Sequence, residues 1–149
     1  MQYLPILLAA SAAFVGAQKA LEKPPSNYRW SARNFIADCT DTCHYTFDIS
    51  GVEAEPYPSF KAVCTGTAST YFASCQLLEW SAKRAYEPTV LALVPPPGED
   101  EVAHLQVSLI FDSYDASYNI TGPADLKFNG FETDFDIVPT DPLGTNIMS

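Results

Sequence analysis

The sequence predicts an all-β protein: a compact antiparallel β-barrel or sandwich with disulfides and a loosely ordered C-terminal tail. Three observations lead there. Segments such as His44-Tyr45-Thr46-Phe47-Asp48-Ile49 alternate polar and apolar residues with the two-residue period of a half-buried strand. The stretch from Cys64 to Cys75 sets a cysteine at each outer end of a small-residue turn, as a stapled hairpin would. The cysteines number four, Cys39, Cys43, Cys64 and Cys75, an even count that suits disulfides in an oxidising compartment.

The chain divides by composition into four parts. Residues 1–17, MQYLPILLAASAAFVGA, are apolar and end in small residues, so they read as a signal peptide with Gln18 as the mature N-terminus. The apolar run within them is shorter than the roughly 20 residues that a membrane span needs, and no later segment is long enough. The expectation is a secreted, extracellular protein that does not span a membrane. Residues 18–27 carry charges and a proline pair without an apolar period and read as a flexible leader. Residues 28–122 are the expected β-domain, and 123–149 an acidic tail. The 132 residues left after the signal are one domain's worth, with enough apolar and aromatic side chains for a core.

Each strand has its own reason. YRWSARNFIA opens the domain with Trp30 and Phe35 as anchors; five residues apart, they face opposite sides of a regular strand unless a bulge realigns them. The next strand points Tyr45, Phe47 and Ile49 inward. Gly51 ends it, and the loop VEAEPYPS, with two prolines and two glutamates, is expected to lie exposed. In FKAVCTG, Phe60, Ala62 and Cys64 share a face, and the segment from about Tyr71 to Trp80 returns as its hairpin partner. SAKRAYEP is the one candidate helical turn and holds the basic pair Lys83 and Arg84. TVLALV, a continuous apolar run between prolines, predicts a strand covered on both faces. Pro95-Pro96-Pro97-Gly98 cannot continue a ladder, and with Glu99, Asp100 and Glu101 forms a stiff acidic loop. VAHLQVSLIF then turns Ala103, Leu105, Val107, Leu109 and Phe111 inward and should pair with 89–94. After the turn DSYDAS comes a short last strand, SYNITG. From Pro123 onward Phe128, Phe131, Phe135 and Ile137 are irregularly spaced among carboxylates, hence the loose tail.

The sulfurs admit three pairings. Cys64–Cys75 is favoured, with Cys39–Cys43 by default. The second carries a condition: residues four apart on a straight strand are about 13 Å from each other, so Thr40-Asp41-Thr42 must turn. Without that turn, crossed pairings to Cys64 and Cys75 become the better choice.

Charge excludes one class of function. The net charge is −10, and residues 99–149 hold ten acidic residues against the single base Lys127. Such a surface repels phosphate backbones and anionic lipid, so no nucleic-acid partner is expected. Acidity keeps a secreted protein soluble; it also attracts a basic partner.

No catalytic, cofactor or metal constellation stands out. His44 and His104, the two histidines, fall on outward strand faces, and His44 is about 13 Å from Asp48 along a strand. The sequence has neither G-x-S-x-G nor H-E-x-x-H. Asp112-Ser113-Tyr114-Asp115 and Glu99-Asp100-Glu101 offer oxygens suited to calcium, but without the spacing and glycine of an EF-hand loop. Asn119-Ile120-Thr121 is the single N-glycosylation sequon, usable where Asn119 is exposed.

The order of these features resembles the Alternaria major-allergen-like family of small secreted fungal β-barrel proteins, which includes allergens, elicitors and effectors. The likeness covers roughly residues 28–122. It rests on Trp30-x4-Phe35, on the strand ending Phe47-Asp48-Ile49, and on a strand running into Cys64 with a return through Cys75. The resemblance implies a β-barrel or sandwich without enzyme activity and with a role in binding host proteins. It also matches Cys64 and Cys75 to the family's hairpin disulfide. The family's second intramolecular bridge lies nearer its C-terminus, where this chain has no cysteine, and its early subunit-linking cysteine is replaced here by the pair Cys39 and Cys43.

The sequence therefore reads as a non-catalytic effector- or elicitor-like protein, a monomer or weak dimer, that binds a host protein or cell-wall component through an exposed strand edge or loop rim, with the loops 53–58 and 95–101 as contacts. The alternatives are a small secreted hydrolase acting on polysaccharide and a carrier of small apolar ligands.

Overall fold

A strand with one apolar face is stable only when that face is covered and its backbone groups are bonded, so alternation along the chain becomes pairing in space. The computed structural model describes residues 23–81, 86–113, 116–128, 133–140 and 143–146. Within them run β1 (Trp30–Cys39), β2 (Cys43–Gly51), β3 (Phe60–Thr67), β4 (Ala73–Ser74), β5 (Gln76–Trp80), β6 (Thr89–Leu93), β7 (Val102–Ser113), β8 (Ala116–Lys127), β9 (Phe135–Ile137) and β10 (Leu143–Asn146). All pair antiparallel, in one sheet of order β5-β3-β2-β1-β9 and a second of order β10-β8-β7-β6-β4. The two sheets form a sandwich and do not close into a barrel. Among the described residues there is no helix, and hence none long and apolar enough to cross a membrane. The signal segment 1–17 and the stretch 82–85, with Lys83 and Arg84, lie outside the described residues.

In β1 the register shifts between Arg33 and Ile36, and Asn34 takes φ 57°. Asparagine tolerates that left-handed conformation better than most residues. The bulge brings both Trp30 and Phe35 to the buried face. Its amides are satisfied from far along the chain: Asn34 N–H donates to Asp134 Oδ1 at 3.1 Å and Phe35 N–H to the Thr133 carbonyl at 2.9 Å.

Inward positions of β2, β3 and β7 fall as the alternation predicts, and β6 pairs with β7 across the proline-rich loop. β6, expected to be covered on both faces, is buried on one only; on the other Thr89 is exposed and Leu91 and Leu93 are half-buried. Register places Gly51 between Trp30 and Phe60, and a Cβ there would meet Phe60 Cε1 at 2.7 Å and Trp30 Cδ1 at 2.9 Å. The missing side chain lets the two rings meet edge to face at 5.7 Å. The Trp30 indole N–H, fully buried, donates to Tyr28 Oη at 3.1 Å, so it carries no desolvation penalty. Burying a side chain of this size stabilises the fold by about 1.5–3 kcal/mol.

Five expectations need correction. The loop 53–58 is not simply exposed: Ala54 and Tyr57 exchange backbone hydrogen bonds at 3.1 and 2.7 Å. This tight turn accompanies a Tyr57 ring that lies in the core at 5.3 Å from Tyr28 and 5.6 Å from Phe111. The leader's described part, 23–27, ends in a turn in which the Pro25 carbonyl accepts from Tyr28 N–H, where the chain enters the core. The strand beginning SYNITG is twelve residues long, paired with β7 from Ala116 to Lys127. The C-terminal tail is not loose over 123–128, 133–140 and 143–146. It completes β8, adds β9 beside β1 and returns as β10 beside β8, and Ile137 is fully buried.

The fifth correction concerns Cys64–Cys75. The return is not a plain hairpin. After β3 the chain crosses to the second sheet, where Ser69 N–H donates to the Val94 carbonyl and β4 pairs with β6. Cys75 N–H still donates to the Val90 carbonyl, yet Gln76 already pairs with Val63 of the first sheet. The disulfide joins Cys75, at this corner, to the buried Cys64. The opposite side has its own corner. Ile137 pairs with Trp30 in the first sheet, while Thr140 donates through N–H and Oγ1 to the Thr121 carbonyl of the second. Gly122 makes room there, since a Cβ would run into Ile137 Cγ2. The Cys39–Cys43 bond closes the β1–β2 hairpin, whose three-residue connection Thr40-Asp41-Thr42 does turn; Cys39 and Cys43 are register partners with Cα atoms 4.0 Å apart.

Urea denaturation checks these assignments. Replacing Cys64 and Cys75 together by serine should lower the unfolding free energy by about 2–5 kcal/mol. Replacing Cys39 and Cys43 should cost less, because that bond closes a much shorter loop. Gly122→Ala should cost about 1–3 kcal/mol through overpacking against Ile137.

Candidate functional site

Among the described residues, the exposed aromatic rings fall on one stretch. Tyr71, Phe72, Leu78, Trp80 and Tyr86 are all exposed, from 41% for Trp80 to 79% for Tyr71. Their placement follows from the corner at Cys75. β4 is the edge strand of one sheet and β5 the edge strand of the other. Tyr71 and Phe72 precede β4, Leu78 and Trp80 belong to β5, and Tyr86 leads into β6. Tyr71, Phe72, Leu78 and Trp80 therefore lie on or beside two edge strands that meet at Cys75, and Tyr86 enters β6, the neighbour of β4. The register shift between Lys61 and Ala62 leaves Leu78 out of the ladder, while Leu77 pairs with the buried Ala62. Lys61 and Glu79 form an ion pair at 3.4 Å, exposed on both sides and so worth at most about 1 kcal/mol.

The expected contact loops flank other regions. In 53–58 Glu53 and Glu55 are exposed and Tyr57 is anchored in the core. In 95–101 the three acidic residues are exposed, and the Asp100 carboxylate accepts from Val102 N–H at 3.1 Å, tightening the turn into β7. Asp112 is half-buried on β7, and its partner in the calcium reading, Asp115, lies outside the described residues. Among the described residues no three His, Cys, Asp or Glu side chains converge as a metal would require.

The histidines separate. His44 is exposed and its Nδ1 lies 3.3 Å from Thr67 Oγ1; Asp48 instead accepts from Asn34 Nδ2 at 2.9 Å. His104 pairs across the β7–β8 ladder with Asp125, Nδ1 to Oδ1 at 2.6 Å, both side chains exposed. That hydrogen bond first, then the charges of Asp125 and Asp100, raise the His104 pKa above the usual 6.5 against a small opposing desolvation. Local spacing gave no sign of this pair, because its partners are 21 residues apart and meet only through strand register. The flanking outward positions are Gln106 with Pro123 on one side and Val102 with Lys127 on the other, so the pair neighbours no serine or cysteine nucleophile along the ladder.

Asn119 is exposed on β8, with the buried Ile120 facing the core behind it. All four cysteines are paired as Cys39–Cys43 and Cys64–Cys75. The exposed aromatic edge was missed from sequence. Its signal was present, for residues 71–80 set apolar side chains on both strand faces, Tyr71 with Leu77 and Phe72 with Leu78, where a half-buried strand would alternate.

Fold and sites together define an all-β sandwich with two disulfides and an apolar edge. Comparison with protein-family models, with curated proteins and with solved structures finds no match.

An NMR titration of the imidazoles tests the His104 pair. In Asp125→Asn the His104 pKa should fall back toward 6.5; an unchanged value would mean the pair does not form. Because the folded-state value is raised, the stability contributed by the pair is fully present below pH 6.5 and is lost as the pH rises through the folded value.

Proposed function

We propose that this protein is a secreted, non-catalytic effector- or elicitor-like protein, similar in kind to the fungal allergen-like family, that acts by binding a host protein. The carrying observation is the exposed row Tyr71, Phe72, Leu78, Trp80 and Tyr86 on the β4–β5 side. Aromatic and large aliphatic side chains at a rigid surface are what interfaces use as anchors, because they bury much area for little lost rotamer freedom. Here the Cys64–Cys75 bond holds their two strands in place. Two disulfides in a small domain support an oxidising compartment. The net charge of −10 favours a partner with a basic rim around an apolar pocket, and steers it by a salt-dependent attraction.

Of the two expected kinds of contact, a strand edge and the loops 53–58 and 95–101, this reading favours the edge. A pull-down of mature protein, residues 18–149, against extracts of candidate hosts tests this. Trp80→Ala and Phe72→Ala should each weaken capture by about 30-fold, as loss of an interface anchor does, with an unchanged melting temperature. Alanine at Glu99 and Glu101 should change mainly the salt dependence. Capture unaffected by Trp80→Ala and Phe72→Ala would overturn the edge assignment. Turnover of a glycan panel with no partner captured would favour a hydrolase instead.

A further inference from the structure

The outer face of the second sheet is more apolar than a free surface needs to be. Register sets Thr89, Ile110 and Asn119 in one outward row, Leu91, Ser108 and Thr121 in the next, and Leu93, Gln106 and Pro123 in a third. Leu91, Leu93 and Ile110 are only half-buried there. Asn119, exposed, is the direct cross-strand neighbour of Ile110, within about 5.5 Å at the backbone. It is also the first residue of the chain's single sequon.

The strand period turns both Asn119 and Thr121 outward, with Ile120 buried between them. Thr121 Oγ1 donates to Asn119 Oδ1 at 3.4 Å, and Ser108 Oγ stands 2.7 Å from the same Thr121 oxygen. The Asn119 amide is thus held through its carbonyl oxygen, which leaves Nδ2 for a bond to sugar.

We propose that Asn119 carries an N-linked glycan whose first sugars roof the apolar face formed by Ile110 and Leu91. The proposal rests on the secreted reading, since the modification needs the secretory compartment. The donor is an oligosaccharide linked to a polyprenyl diphosphate. Asn119 Nδ2 forms a bond to the anomeric carbon, the bond from that carbon to the diphosphate oxygen breaks, Nδ2 gives up one proton, and the lipid diphosphate leaves. Transfer occurs while the chain is still extended; the finished fold accommodates the product because Asn119 stays exposed. β8 lies three strands from β4 in its sheet, about 14 Å at the usual spacing, so the glycan leaves the aromatic edge open.

The full chain, expressed in a eukaryotic secretory host, is collected from the medium and treated with peptide N-glycosidase. The expected result is one discrete mobility shift and a glycopeptide mapped to Asn119. Both should vanish in Asn119→Gln and Thr121→Ala and persist in Thr121→Ser. Removal of the glycan should raise the fluorescence of an apolar-surface dye; an equal signal before and after removal would overturn the roof. Secreted protein with an unmodified Asn119 would overturn the attachment. Should the native signal segment fail to export the chain, the same chain behind a heterologous signal peptide separates the two ideas. A glycan on that product supports the acceptor site while the secreted reading falls, and a bare Asn119 overturns the proposal.

Discussion

A single polypeptide segment cannot bond to two sheets at once, so wherever it passes from one to the other its backbone partners must change within a residue or two. Here that change happens at Cys75, which still donates to Val90 in the second sheet while Gln76 pairs with Val63 in the first. Neither β4 nor β5 is long, and among the described residues each pairs with a strand on one side only. Two short edge strands would fray independently, but a covalent link from their junction to the buried Cys64 removes that freedom. Closing a loop of this size is worth about 3 kcal/mol in the chain-entropy view. The exposed aromatic row depends on the same bond, because it is displayed on the two strands that the bond holds.

The opposite edge reaches the same end without sulfur. There Ile137 fills the space over Gly122, and Thr140 takes up the Thr121 carbonyl as the chain moves from β9 toward β10. The interior between the corners is aromatic. Phe35 packs against Phe47, Phe128 and Phe135, and Tyr57 bridges Tyr28 and Phe111. Except for Phe35–Phe47 within the β1–β2 hairpin, these contacts join residues far apart in the sequence. Through Phe35 and Phe135, β1 and β9 share in the same aromatic cluster as β2.

How much of this was legible depended on whether the signal was local. β2, β3 and β7 could be read from the sequence because their apolar residues recur at every second position with strong contrast. The bulge was legible as a need, since Trp30 and Phe35 could not otherwise share a face; its place at Asn34 was not. β8 was cut short because Gly122 and Pro123 look like a strand end. In the fold β10 covers β8 only over residues 116–119, so Pro123 sits where one side of β8 is free and a missing N–H is tolerated. β9 has three residues and no period of its own; it exists because β1 needs a neighbour. The pair His104–Asp125 and the corner at Cys75 are likewise products of register and crossover, which no spacing along the chain encodes.

The functional reading follows from where the fold spends its aromatic residues and where it leaves them outside. An apolar row on a covalently braced edge is a surface suited to recognition, and the proposed partner's basic rim follows from the acidic charge of the chain. All of it presupposes the pairing of the sulfurs. Peptide mapping of the oxidised protein under non-reducing conditions tests that most directly. The account predicts linked peptides joining Cys64 to Cys75 and Cys39 to Cys43; a peptide joining either early cysteine to Cys64 or Cys75 would contradict it.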